Sequence, residues 1–232
     1  ATTRILEVGY KNRQATPSEM ERMKGHVENS MKEGAMGIGS SLIYAPGDYA
    51  STEELTELSK VASEYGGMYI SHLRSEGTNL LEALEELISI SRNANIPAEV
   101  YHLKASREPN WSKLDDVIKR IEEVRKEGLK ITADIYTYNA SSTGLTGVIP
   151  TWVQEGGHRA WINRMKDPEV RPRLLADIRE QLDEQPPEGI LLVGFKTSKM
   201  SRKYLAKTVA EAAAMRGQTP EEAIVDLSLI HI

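Results

Sequence analysis

The stretch that decides the fold opens G-G-M-Y-I-S-H-L-R-S-E (residues 66–76) and closes I-P-A-E-V-Y-H-L-K-A-S (residues 96–106). Each half is a short apolar, β-branched and aromatic segment that ends in a histidine and then a cation: His72 with Arg74, His102 with Lys104. Residues two apart on a strand share a face. Between the halves Leu80, Leu81, Leu84, Leu87, Ile88 and Ser91 recur at helical spacing. The pattern predicts strand, crossover helix, parallel strand. Such a unit sets the strands side by side, roughly 4.8 Å apart, with both C-terminal ends at one edge. Two imidazoles then project into one place, and histidine is the commonest metal ligand.

Working outward, 232 residues suit one domain or two. A net charge of −5, with both signs mixed, argues against a nucleic-acid partner held by a basic face. There is no cysteine, which excludes disulfides and thiolate ligands within these residues. No apolar run approaches a bilayer span. No signal-peptide pattern stands at Ala1, so a cytoplasmic protein is expected, with its native N-terminus lying before this residue.

In chain order, Arg4–Val8 alternates like a strand. Thr16-Pro17-Ser18-Glu19 starts a helix that runs to about Glu33 and stops at Gly34. Residues 35–42 form a small-residue strand whose glycines imply close backbone approach. Ile43–Asp48 is a loop with a Pro-Gly turn. Ser51-Thr52-Glu53-Glu54 is a second capping box, opening a helix that ends near Tyr65. Beyond the two histidine segments, Ser112 is the expected cap of a helix with Leu114, Val117, Ile118, Ile121 and Val124 on one face, stopping at Gly128. Residues 129–138 predict a strand. Helices are predicted over about 158–166 and 168–183, a buried strand over 190–195, and helices over about 201–216 and 220–227, the last capped by Thr219.

Strand and helix patterns alternate, with strands recurring about every thirty residues as parallel β/α units do. That predicts an α/β fold with a parallel sheet. An open doubly wound sheet and a barrel both fit. The barrel is favoured because His72, His102, and Asp134 with Tyr136 all fall at strand C-terminal ends, which a barrel gathers at one mouth. Five or six strand candidates against eight predict an incomplete (β/α)8 TIM-type barrel.

Each candidate has a plainer reading. A single strand histidine is usually structural, and the pair one β/α unit apart is what raises the metal reading. Lys104 is either a surface lysine or a cation that meets an anion such as a substrate carboxylate. Arg74 and Glu76 are expected to pair with each other. Asp134 caps a loop on its bland reading, and Tyr136, Ser141 and Ser142 are then ordinary loop polars. His26, inside a helix, and His158, in a loop, are read as non-functional. No P-loop, nucleotide glycine fingerprint or G-x-S-x-G elbow occurs.

Four blocks in order, G-A-M-G-I-G-S-S-L-I-Y-A-P-G-D-Y-A (34–50), Y-I-S-H-L-R-S-E-G (69–77), V-Y-H-L-K (100–104) and D-I-Y-T-Y-N-A-S-S-T (134–143), resemble the D-aminoacylase family. These are N-acyl-D-amino-acid deacylases of the amidohydrolase superfamily, and the similarity runs from about Val8 to Asp226. The resemblance implies a zinc-bearing (β/α)8 barrel with a small β-rich domain, hydrolysing the amide of N-acyl-D-amino acids. It implies His72 and His102 as the metal ligands. It implies Lys104, Tyr136 and Ser142 as the pocket for the substrate carboxylate, with Tyr138 and Ser141 as close competitors.

The chain departs from the family pattern in three places. The H-x-H pair of the first barrel strand is not present, nor is the cysteine ligand; both are expected before Ala1. The catalytic aspartate is expected beyond the chain end, so no residue here is assigned as catalytic. Residues 1–226 are then a partial amidohydrolase barrel. Residues 227–232 are expected to be a non-native tail, and His231 is discounted as a ligand. The expected activity is that of a zinc-dependent hydrolase acting on a small-molecule substrate, in a protein with no nucleic-acid or membrane partner. This chain alone is expected to be inactive and to bind zinc weakly. The alternatives are a cyclic-amide hydrolase or deaminase of the amidohydrolase type, and a non-catalytic α/β binding module.

Overall fold

The computed structural model describes residues 2–195 and 197–231. Ala1 and Ile232, the outer ends of the domain and tail assignments, lie outside the described residues. The chain divides into two compact units, Ala1–Asn139 and Ala140–Ile232.

In the first unit the order is α1 (Thr2–Glu7), α2 (Pro17–Lys32), β1 (Gly37–Ser41), α3 (Thr52–Glu64), β2 (Met68–His72), α4 (Leu80–Ala94), β3 (Ala98–Val100), α5 (Leu114–Lys126) and β4 (Ile131–Ala133). The four strands are all parallel, and their spatial order is their chain order. A doubly wound sheet reverses that order at a switch point. Here there is no reversal, and α2 packs on α3, α3 on α4 and α4 on α5 in succession. This is a run of consecutive β/α units from a barrel wall.

Alternation sorts the strand residues. Tyr69, Ser71, Ala98, Val100 and Ile131 are buried and in register with one another. Tyr69, Ala98, Val100 and Ile131 meet Leu80, Leu84, Leu87 and Ile88 of α4 and Val117, Ile121 and Val124 of α5 in one apolar core. Each such leucine contributes about 2–5 kcal/mol as measured by truncation to alanine. The other strand face carries Gly39, Ile70, Glu99 and Thr132, in register across the sheet, and His72 ends it on β2.

The helix starts follow local chemistry. Thr16 caps α2 in a reciprocal capping box with Glu19. Ser51 caps α3 by accepting from the Glu54 N–H, but the Glu54 side chain does not return to the cap. It turns inward to Arg4, and the two are buried together at 2.5 Å. The expected second capping box is therefore half formed, because a buried guanidinium claims its carboxylate.

Several sequence expectations need correction. Arg4–Val8 is not a strand: it lies in and just after α1. Arg4 and Val8 are buried while Ile5 and Leu6 are exposed, an i, i+4 pattern that the short alternation disguised. Ser112 does not cap α5. Residues Glu108–Lys113 form a 3-10 helix that runs straight into it. Leu114 and Ile118 stay exposed, and only Val117, Ile121 and Val124 of the expected face are buried. The strand expected over 129–138 is paired only at Ile131–Ala133, which leaves Asp134 and Tyr136 in the following loop.

The second unit holds α6 (Thr151–Gln154), α7 (His158–Lys166), α8 (Arg171–Glu184), α9 (Ser198–Tyr204), α10 (Val209–Arg216) and α11 (Pro220–His231). They surround a core that includes Val153, Trp161, Met165, Leu174, Ile178, Val209 and Ile224. His158 opens α7 and is not in a loop. Residues 190–195 do not form a buried parallel strand. They make a single antiparallel bridge, Leu191 to Thr208, with Leu191 and Val193 exposed. The helix expected over 201–216 breaks at Ala206, whose φ is 61°, and restarts at the Thr208–Glu211 capping box. That break frees the backbone that residues 190–192 then bond. Thr219 caps α11 as expected, and the helix continues through Leu227 and Ser228, both buried. Burial alone would raise the Asp226 pKa, but the Gln218 amide and the Arg171 guanidinium bring it below the usual carboxylate value. Among the described residues no helix is long and apolar enough to cross a membrane.

Candidate metal centre

His72 is the last residue of β2, and His102 lies two residues past β3. Their rings meet edge to face with centroids 4.5 Å apart. The parallel register brings the two together, since Ser71 pairs with Val100 and the Tyr101 N–H donates to the Ser71 carbonyl.

His102 adopts φ 43°, a left-handed conformation uncommon for a side chain of its size. Asp134 holds it there. Its carboxylate accepts the His102 N–H, its carbonyl accepts the Leu103 N–H, and its own N–H donates to Val100. Asp134 is thus a loop clamp, as its bland reading expected. It aims an imidazole that a continued strand would have carried past the mouth.

Glu76 completes the group. One ligand atom from each of His72, Glu76 and His102 lies within 4.8 Å of the others. Glu76 Oε1 is 3.0 Å from His102 Nδ1 and 3.7 Å from His72 Nδ1. Sequence reasoning paired Glu76 with Arg74, and that expectation fails. Arg74 instead forms a two-pronged pair with Glu86 of α4, at 2.7 and 2.9 Å, and donates to the Asp48 and Ala50 carbonyls. Its guanidinium is consumed by pinning the β1–α3 loop to α4. Glu76 is left to face the histidines, four residues after His72. That spacing is the signal that could have found it.

Lys104 enters the same cluster. Its Nζ is 2.5 Å from Glu76 Oε1, 2.7 Å from His102 Nδ1 and 2.9 Å from the His102 carbonyl, and it lies 5.4 Å from the centre of the Tyr136 ring. Tyr136 is half-buried with its ring 6.2 Å from that of His102. Ser142 and Ser141 are exposed and belong to the second unit. The structure therefore brings His72, His102, Lys104 and Tyr136 together with Glu76. His26 stands apart on α2, bonded to Glu7.

Burial is the main reason that the His72 pKa falls below its ordinary value, with the His102 and Lys104 charges adding to it against the pull of Glu76. A neutral imidazole is the form that ligates. His72 Nδ1–H donates to the Leu73 carbonyl at 3.2 Å, which leaves Nε2 bare. A ring nitrogen anchored on a backbone carbonyl is the usual outer support of a metal-bound histidine. Two imidazoles and one carboxylate suit zinc, while calcium and magnesium sites are built of oxygen. Zinc ligands at about 2.0–2.2 Å in a tetrahedron stand about 3.3–3.6 Å apart. The 3.0 Å contact between Glu76 Oε1 and His102 Nδ1 is slightly shorter than that spacing, and one ligand atom of each of the three residues lies within 4.8 Å of the others. The donor set fits the metal.

No family model matches the chain. Among curated proteins it is 35% identical over 145 residues to a D-aminoacylase of Alcaligenes xylosoxydans xylosoxydans, covering 62% of this chain and 30% of that protein. It is 31% identical over 130 residues to an N-acyl-D-glutamate deacylase of the same organism, covering 56% and 27%. The chain thus spans under a third of the curated relatives it matches. Among solved structures, a D-aminoacylase described as defining a novel subset of amidohydrolases aligns at TM-score 0.72 and 25% identity, over 97% of this chain and 40% of that one. An N-acyl-D-glutamate deacylase from Bordetella bronchiseptica, complexed with zinc and a phosphonate mimic of the tetrahedral intermediate, aligns at TM-score 0.71 and 24% identity, over 93% and 38%.

Proposed function

We propose that the full-length protein of which this chain, a relative of the D-aminoacylases, is a part is a zinc-dependent hydrolase that cleaves the amide bond of N-acyl-D-amino acids. The observation that carries the reading is the convergence of His72, Glu76 and His102 at the C-terminal ends of adjacent parallel strands, where barrel enzymes place their chemistry. The similarity to D-aminoacylases supports the substrate class.

When bound, zinc supplies a Lewis acid and a water of lowered pKa. The chain's own residues bind and orient. Burial lowers the His72 pKa and so favours the neutral imidazole that ligates, with its Nδ1–H fixed on the Leu73 carbonyl. Asp134 holds the backbone that aims His102. Lys104, with Tyr136 beside it, is the anchor for the substrate's α-carboxylate. A fixed carboxylate converts binding energy into orientation of the scissile amide.

The test is zinc content and hydrolysis of N-acetyl-D-amino acids, acidic and apolar, by the full-length protein. D-selective release that a chelator abolishes and His72→Ala eliminates is expected. Hydrolysis that survives the loss of zinc would overturn the reading. The anchor has its own test. In the full-length protein, Lys104→Met is expected to raise KM with zinc stoichiometry intact, by the loss of about 1.5–3 kcal/mol from a charge-assisted bond. An unchanged KM would remove Lys104 from the substrate pocket.

A further inference from the structure

The Lys104 ammonium is held by the two atoms that a cation would take. Nζ lies 2.5 Å from Glu76 Oε1 and 2.7 Å from His102 Nδ1, which are themselves 3.0 Å apart. An ammonium donates and has no lone pair to accept with, so in the tautomer that accepts from Lys104 the lone pair of His102 Nδ1 faces the cluster. That nitrogen has one lone pair. A metal bound through it takes the electrons that Lys104 now holds, and the like charges repel at such range. Glu76 stays in place through the exchange. Its carbonyl accepts the Ser106 N–H at 2.7 Å, and the Ser106 hydroxyl reaches its other carboxylate oxygen at 3.3 Å.

We propose that Lys104 and a divalent metal occupy the His72–Glu76–His102 cluster in alternation, with Glu76 serving as the counter-ion of one and the third protein ligand of the other. Without metal, Lys104 is locked onto Glu76. Metal binding releases it, and the freed ammonium becomes available to an anionic substrate with the Tyr136 ring as its neighbour. Loading the metal thereby arms the carboxylate anchor. The inference rests on the zinc reading above and adds to it Glu76 as a ligand and Lys104 as the metal's competitor.

The experiment uses this 232-residue chain. Zinc affinity is measured by competition with a chromophoric chelator. Amine labelling of Lys104, with exposed Lys126 as reference, is read by peptide mass spectrometry with and without zinc. Glu76→Gln is expected to weaken zinc binding by at least the roughly 10–100-fold that loss of an outer-shell partner causes. Lys104→Met is expected to tighten it about tenfold, since a like charge is removed from the site. Zinc is expected to raise Lys104 labelling several-fold and leave Lys126 unchanged. If circular dichroism shows that Lys104→Met does not fold, the labelling of the unaltered chain decides. Zinc binding that needs His72 but is indifferent to Lys104, or labelling that does not rise, overturns the exchange alone. Zinc binding undiminished in His72→Ala overturns the metal centre with it.

Discussion

Replacing Arg4 by methionine is expected to destabilise the first unit by about 3–5 kcal/mol. Arg4 and Glu54 are each only 3% exposed in their side chains and pair at 2.5 Å. Arg4 also donates to the Arg13 carbonyl at 2.6 Å, so one guanidinium ties α1 and the following loop to α3. Methionine fills a similar volume but leaves a carboxylate buried without its counter-charge, and that uncompensated charge dominates the cost. A cavity of about 200 Å³ beside β1 is lined by both residues, so some hydration can moderate the penalty toward the lower end. Urea unfolding followed by circular dichroism measures it. The double change Arg4→Met with Glu54→Leu should recover most of the loss, because no charge is then stranded. A single-mutant cost under about 1 kcal/mol would show that the pair behaves as a solvated surface contact.

What the sequence showed and hid follows the range of the interactions concerned. Thr16 and Thr219 cap their helices through atoms three residues away, and the local pattern is sufficient to find them, whereas the Thr208 box was hidden inside a helix expected to run unbroken over 201–216. The β2–α4–β3 unit was legible for the same reason: strand alternation and helical spacing are both local. Arg4–Val8 was misread because five residues fit both periods, and only the distant Glu54 decides which face is buried. Residues 190–195 are apolar enough for a core strand. Their partner is the backbone freed at Ala206, and nothing in their own pattern announces it.

The site divides in the same way. His72, His102 and Lys104 stood out because each closes an apolar segment, and the parallel register does the rest. Glu76 was assigned to the wrong partner. Two cations compete for it, Arg74 at two residues and Lys104 at twenty-eight, and proximity in sequence favoured Arg74. What settles the matter is Glu86, nearly two turns into α4, whose carboxylate takes both prongs of Arg74. The Glu86 hydrogen bond is also what raises the Arg74 pKa most. With Arg74 satisfied there, Glu76 is free to meet the histidines.

Gly37→Ala is expected to cost about 2–5 kcal/mol and to weaken zinc binding, although it adds a single methyl group. Gly37 has φ 153°, and a Cβ built there would stand 1.9 Å from the Met68 carbonyl oxygen. That atom belongs to the backbone of β2 and cannot rotate away. Gly37 pairs with Met68 in a register that runs on to Ser41 beside His72. Pushing the strands apart at one end therefore disturbs the histidine at the other. Gly34 provides the control. Its φ is 100°, but a Cβ there meets nothing within 4 Å. Gly34→Ala should incur only the conformational term of about 1–2 kcal/mol and leave the metal site untouched. The difference between the two variants isolates the clash, worth about 1–3 kcal/mol as overpacking. Chemical denaturation gives both stabilities, and chelator competition gives both zinc affinities. Equal costs for Gly34→Ala and Gly37→Ala, with zinc affinity unchanged in each, would show that β1 and β2 do not approach closely at Met68 and that their register does not position His72.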